Sequence, residues 1–226
     1  MKRSTFVLLI IFGVLFIDQG LKIWVKLNME LGDYFKVFGW NWFRIQFTEN
    51  PGMAFGMELG GSYGKLFLSV FRLCAIGVLG VVLYNLIQKK ESYGLLCSMA
   101  LIFTGALGNM VDAAFYGLFF TSSGSFHVPD MAIFDPNNGY AGFLYGHVVD
   151  MLYFPMINST WPQWMPWVGG QPFQFFQPIF NIADVAISVG VVSLLLFHRS
   201  FFDKKTEPKE TTETTAEKPI EDNLTA

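Results

Sequence analysis

The chain has 226 residues, a formal net charge of −3, and only 15% charged against 52% apolar residues, with a mean hydropathy of +0.40. Soluble domains carry roughly a quarter charged residues, so this composition excludes an ordinary water-soluble domain and points to a chain dissolved in lipid. It also lacks the basic surface that nucleic-acid binding requires, and its 25 Phe and 6 Trp suit a membrane–water interface.

A helix needs about 20 apolar residues to cross a bilayer, and four stretches meet that length. They run from about Thr5 to Trp24, Leu66 to Ile87, Tyr93 to Val111 and Pro178 to His198. The first has a basic start, as a cleavable secretory signal would. It is too long for one, and Asp18, Gln19 and Lys22 stand where a small-residue cleavage site should be; an uncleaved anchor is expected. Lys2/Arg3, Lys89/Lys90 and Arg199/Lys204/Lys205 all fall on one side of a four-span arrangement. By the positive-inside rule both termini are then cytoplasmic, with 28–65 and 112–177 outside.

Between the first two spans the sequence alternates. Phe38, Trp40 and Trp42 should point one way and Phe43, Ile45 and Phe47 the other, the period of a strand or hairpin. Asn50-Pro51-Gly52 then signals a turn. The second outer segment is long and rich in Pro, Gly and aromatic residues, among them Trp161, Trp164, Trp167, Phe173, Phe175 and Phe176. It is expected to form a lid or platform at headgroup level. The Thr/Glu/Lys-rich stretch 203–226 is expected to be disordered. Cys74 and Cys97 lie in apolar runs at different depths and are expected to be free packing residues.

Ionisable residues at membrane depth are costly and suggest function. Asp18 and Lys22, four apart, share a helix face; Asn109 and Asp112 share one at the end of the third span, and Asn181 and Asp184 repeat the spacing at the start of the fourth. Asp184 is expected in the second turn of a helix opened by Pro178, where the helix dipole favours an anion. Asp150 interrupts the apolar run Val148–Phe154, and Arg72 lies well inside the second span. The topology lets Asp18, Asp112, Asp150 and Asp184 gather near the outer surface. Two carboxylates in a poorly solvated site cannot both ionise, so a pair of them holds an acid and a base at once. Such a pair can activate water against an amide and protonate the leaving nitrogen. The alternatives stay open at this point: each carboxylate could merely cap a helix, and transporters also carry intramembrane carboxylates. His147 and Asp150 form a bare H-x-x-D, short of a zinc pattern; a Ser/Lys scheme would need Ser62 or Ser69 to face Lys22.

Five short segments in order carry a resemblance. They are Asp18-Gln19-Gly20-Leu21-Lys22, Asn50-Pro51-Gly52-Met53-Ala54-Phe55-Gly56, Gly105 to Asp112, Gly146-His147-Val148-Val149-Asp150, and Phe180-Asn181-Ile182-Ala183-Asp184. Together they resemble the lipoprotein signal peptidase (signal peptidase II) family. The resemblance implies an all-α integral membrane aspartyl endopeptidase of the bacterial inner membrane, with four transmembrane helices and a small extracytoplasmic β-cradle. It would cut prolipoproteins before a diacylglyceryl-modified cysteine. It implies Asp150 and Asp184 as catalytic aspartates and Asn50, Gly52, Ala54, Asn109, Asp112, Asn181 and Ala183 as site-lining or supporting residues, with Asp18 and Lys22 supporting the outer end of the first span. No metal or cofactor is implied; the partners are lipidated prolipoproteins and membrane lipids, no nucleic acid, and the chain is expected to act as a monomer. Two departures stand out. The family places Arg directly after the aspartate matching Asp112, where this chain has Ala113. The intervals on either side of Asp150 are also longer than the resemblance implies, so an extra outer flap or partner surface is expected there.

Overall fold

A computed structural model describes residues 1–51, 61–125, 127–199 and 201. Helix α1 (Arg3–Asn28) leads into a hairpin of β1 (Tyr34–Lys36) and β2 (Arg44–Asn50). Helix α2 (Gly61–Gln88) and helix α3 (Tyr93–Val111) follow, and α3 continues through a π-helical turn, Asp112–Tyr116, into the single turn α4 (Gly117–Phe119). Then come the two-residue strands β3 (Gly124–Ser125) and β4 (Val128–Pro129), followed by β5 (Val148–Tyr153). Strands β6 (Ile157–Thr160), β7 (Pro172–Phe175) and β8 (Ile179–Phe180) lead to helix α5 (Ile182–Phe197).

Three helical stretches, Arg3–Asn28, Tyr63–Gln88 and Tyr93–Phe119, are long and apolar enough to cross a membrane. Their outward faces carry Leu8, Phe12, Phe16, Phe67, Phe71, Val78 and Val81, as expected where lipid is the solvent. The protein is an integral membrane protein. The fourth apolar stretch differs from expectation. Its helix begins at Ile182 rather than Pro178, because Ile179 and Phe180 pair with Tyr153 and Leu152 as a strand. The third stretch runs past Val111 because the apolar sequence to Phe119 stays helical after the π-turn.

The four-stranded sheet has the order β1-β2-β5-β8, antiparallel throughout. Its first two strands are the hairpin the alternation indicated, moved apart by a 3-10 turn at Val37–Gly39, where Phe38 takes a φ of 52° and Gly39 one of 77°. Phe38, Trp40 and Trp42 are exposed, whereas Phe47 is fully buried, with Phe43 and Ile45 half-buried beside it. Strand β5 is buried along its whole length.

The two largest apolar clusters among the described residues brace the molecule. Val7, Leu83, Leu86, Leu96, Met99 and Leu194 join the four long helices at the ends away from the sheet. Val25, Phe47, Tyr116, Phe120, Val149 and Met151 weld the sheet to the other ends. Between them α3 and α5 approach so closely that a Cβ on Gly105 would stand 2.2 Å from the Ala183 carbonyl oxygen. Small residues are what permit such contacts between membrane helices. Cys74 and Cys97 are both free thiols.

Candidate active site between the sheet and the helix ends

The inward face of α1 carries Asp18, Lys22, Val25 and Lys26, all buried, at the i, i+4, i+7/8 spacing of one helical stripe. Lys22 is the hub. Its ammonium lies 2.9 Å from Asp18 and 2.8 Å from Asp112 and donates to Asn109 Oδ1 at 2.9 Å. Gln19 closes the ring, its amide donating to Asp112 Oδ1 at 2.8 Å and to Asp18 Oδ2 at 3.1 Å, while Tyr116 donates its hydroxyl hydrogen to Gln19 Oε1 at 3.1 Å. The π-turn opens at Asp112 and closes at Tyr116, so both reach the same glutamine.

This network reaches outward to two further carboxylates. Asn109 spends its oxygen on Lys22 and its amide hydrogen on Asp184, donating to Oδ1 at 2.8 Å. Asp112 accepts from the Val149 N–H at 3.2 Å and so fixes the strand residue that precedes Asp150. Asp18 accepts from the Ala183 N–H at 2.8 Å, fixing the residue that precedes Asp184.

Asp184 and Asp150 are joined by Asn181. Asn181 is the N-cap of α5, and the two form a capping box. The Asp184 N–H donates to Asn181 Oδ1 at 3.0 Å and the Asn181 N–H to Asp184 Oδ2 at 3.3 Å. Asp184 therefore sits in the first helical turn, one turn earlier than a start at Pro178 would place it. The remaining amide hydrogens of Asn181 go to Asp150 Oδ1 at 2.6 Å and to the Val149 carbonyl at 3.3 Å. Asp150 lies on the buried strand β5, opposite Thr48 of β2. Burial, and then the charge of Asp184, push its carboxyl up to about 7. Near neutral pH Asp150 can thus retain its proton.

Asp18, Lys22, Asn109, Asp112, Asn181, Ala183, Asp150 and Asp184 thus form one connected cluster. Asn50 ends β2 opposite Val148, two residues from Asp150 along β5. Gly52 and Ala54 fall outside the described residues, as does the stretch 203–226. Position 113, where the family pattern has Arg, is a buried Ala whose carbonyl accepts from the Gly146 N–H at 2.8 Å. Arg72 of α2 instead comes within electrostatic reach of Asp184, Asp112 and Asp150. The Ser/Lys alternative finds no geometry at Ser69, whose hydroxyl donates to the Leu144 carbonyl.

A second charged cluster escaped the sequence reading. Lys26 pairs with Glu49 and donates to Ser123 Oγ at 3.0 Å; Ser123 donates to Glu49 Oε1 at 2.8 Å; and His147 Nδ1 meets Glu49 Oε2 at 3.0 Å. Burial alone would raise the Glu49 carboxyl, but His147, Lys26 and Ser123 outweigh it and hold it at about 2. The Lys26 ammonium also lies over the Tyr140 ring, 5.1 Å from its centroid. Lys26 could have been found from the four-residue step beyond Lys22; Ser123 leaves no local signature.

The family model for signal peptidase (SPase) II, Peptidase_A8, matches residues 10–201. A lipoprotein signal peptidase of Porphyromonas gingivalis is 44% identical over 88% of this chain and 88% of its own length. One from Amoebophilus asiaticus is 36% identical over 91% and 82%. Among solved structures, a bacterial membrane enzyme determined by the in meso method at 2.3 Å shares the fold with a TM-score of 0.53 at 21% identity, covering 90% of this chain and 92% of that one. With its motifs in order on a matching fold, the chain belongs to the signal peptidase II family.

Proposed function

We propose that this chain removes the signal peptide from diacylglyceryl-modified prolipoproteins, with Asp150 and Asp184 as the catalytic aspartates. The observation that carries this reading is the bridge through Asn181, which binds one aspartate by its side chain and caps the helix that holds the other. The signal helix of the substrate approaches sideways from the bilayer, its acyl chains staying in lipid. The ionised member of the pair takes a proton from a water, whose oxygen attacks the carbonyl carbon before the lipidated cysteine. The protonated member then gives its proton to the amide nitrogen as the C–N bond breaks. A new carboxylate and a free cysteine amine result. The cradle and the long outer segments keep bulk water away and so strengthen electrostatics in the site. Asn109 and Asn181 orient the carboxylates, and Arg72 tempers the negative charge of three neighbours.

The full reading includes a four-span arrangement with α5 as the short fourth span, both termini cytoplasmic and the site near the outer face of the inner membrane, in a monomer. The basic flanks at Lys2/Arg3, Lys89/Lys90 and Arg199 support that orientation. The test is cleavage of a prolipoprotein by purified protein, with and without diacylglyceryl on its cysteine, beside Asp150→Asn and Asp184→Asn. Cleavage of the lipidated form alone, with a drop of at least about 10³-fold in either folded variant, is expected. Cleavage that survives both substitutions would remove the pair from the mechanism.

A further inference from the structure

The β6–β7 hairpin lies between the strand of Asp150 and the helix of Asp184, and its strands form a two-stranded sheet separate from the cradle. A lone two-stranded hairpin is marginal in water, so a covering surface is needed. Its register divides it into two unlike faces. Ile157 stands opposite Phe175 and Ser159 opposite Phe173 on one face; Asn158 opposite Gln174 and Thr160 opposite Pro172 make the other. Trp161 extends the apolar side, its ring centroid 4.5 Å from that of Phe173. The connecting loop leaves Trp164 79% and Trp167 95% exposed.

Charge says what the covering surface is. Between Asp150 and Asp184 the chain contains no Asp, Glu, Lys, Arg or His. A surface for a soluble protein partner ordinarily has a polar rim and is enriched in Arg, whereas an uncharged, Trp-rich ribbon suits the zone between headgroups and acyl chains. The apolar side is also continuous with the cradle. Ring contacts run from Phe175 through Phe176, Phe180, Phe154, Trp42 and Trp40 to Phe38, along the sheet that caps the membrane helices.

We propose that the β6–β7 hairpin is a lipid-binding element, seated with its Trp loop in the interfacial zone of the leaflet next to the sheet. Its open strand edges carry backbone groups that hydrocarbon cannot satisfy, which limits it to the shallow, hydrated part of the leaflet. Having no cationic residue, it takes neutral lipid as readily as anionic lipid, unlike a basic amphipathic anchor.

The test places an environment-sensitive fluorophore at Trp164→Cys in the full chain carrying Cys74→Ser and Cys97→Ser, reconstituted in phosphatidylcholine bilayers. A second chain carries the label at Trp167→Cys, and a third, at the exposed Asn137→Cys, serves as a water-facing control. Lipids brominated near the headgroup or near the chain end are compared with aqueous iodide. Both Trp-position labels should be quenched more by shallow than by deep bromines and be shielded from iodide at least about threefold relative to the control. Adding anionic lipid or salt should leave this pattern unchanged. Iodide quenching equal to the control, without bromine quenching, would overturn the proposal and make this a surface for a soluble partner. Stronger quenching by deep bromines, or a requirement for anionic lipid, would overturn it too.

Discussion

Lys22 holds the site together at the level of single residues, although it is not one of the proposed catalytic groups. It touches Asp18, Asp112 and Asn109, and each of these fixes a neighbour of the proposed pair or touches Asp184 itself. Removing one partner from a buried ionic cluster leaves charges that neither water nor protein satisfies. Lys22→Met is therefore expected to cost about 3–5 kcal/mol and to lower cleavage through displaced aspartates. Chemical unfolding in detergent, read beside activity, checks this. Restoring stability by adding Asp18→Asn or Asp112→Asn to that variant would show that stranded charge caused the loss.

At the scale of elements, Glu49 ties together four segments that lie far apart in sequence: α1 through Lys26, β2, the Ser123 segment and the approach to β5 at His147. Through Ser123 and His147 these contacts tie the segment before β5 into the frame around Asp150. A carboxyl held at about 2 against an ordinary 4.5 contributes stability that is fully present above the ordinary value. That contribution is lost as pH falls towards 2, and a shift of this size corresponds to about 3 kcal/mol. Glu49→Gln is expected to lose about that much at pH 7 and to flatten the acid side of the stability curve between pH 4.5 and 2. Denaturant midpoints measured across that range test it; a variant as stable as the parent would show that Glu49 is not a structural tie.

The same elements show what the sequence could and could not tell. The apolar lengths gave the helices, and the steps Asp18–Lys22, Asn109–Asp112 and Asn181–Asp184 disclosed shared faces, because those interactions are local in the chain. The capping box was readable at Asn181 and Asp184, yet Pro178 drew the helix start too early, since pairing of Ile179 and Phe180 with β5 is a long-range event. The π-turn after Val111 and the Lys26–Glu49–Ser123–His147 cluster had no local pattern to announce them.

Across the whole molecule, apolar helices and the four-stranded sheet enclose a small buried cluster in which opposite charges lie close together. The family was readable from five motifs, and the integral-membrane character from the apolar runs. How those motifs meet, through Asn181 and Lys22, required the fold. The proposed reaction needs a protonated carboxyl in the aspartate pair at neutral pH to supply the leaving nitrogen. The pH dependence of kcat/KM for a lipidated prolipoprotein tests this most directly. Asp150 is held near 7, so the rate should fall as pH rises through about that value, with the slope of a single proton. A rate that stays level from pH 6 to 9 in a folded enzyme would show that no protonated carboxyl supplies the leaving nitrogen.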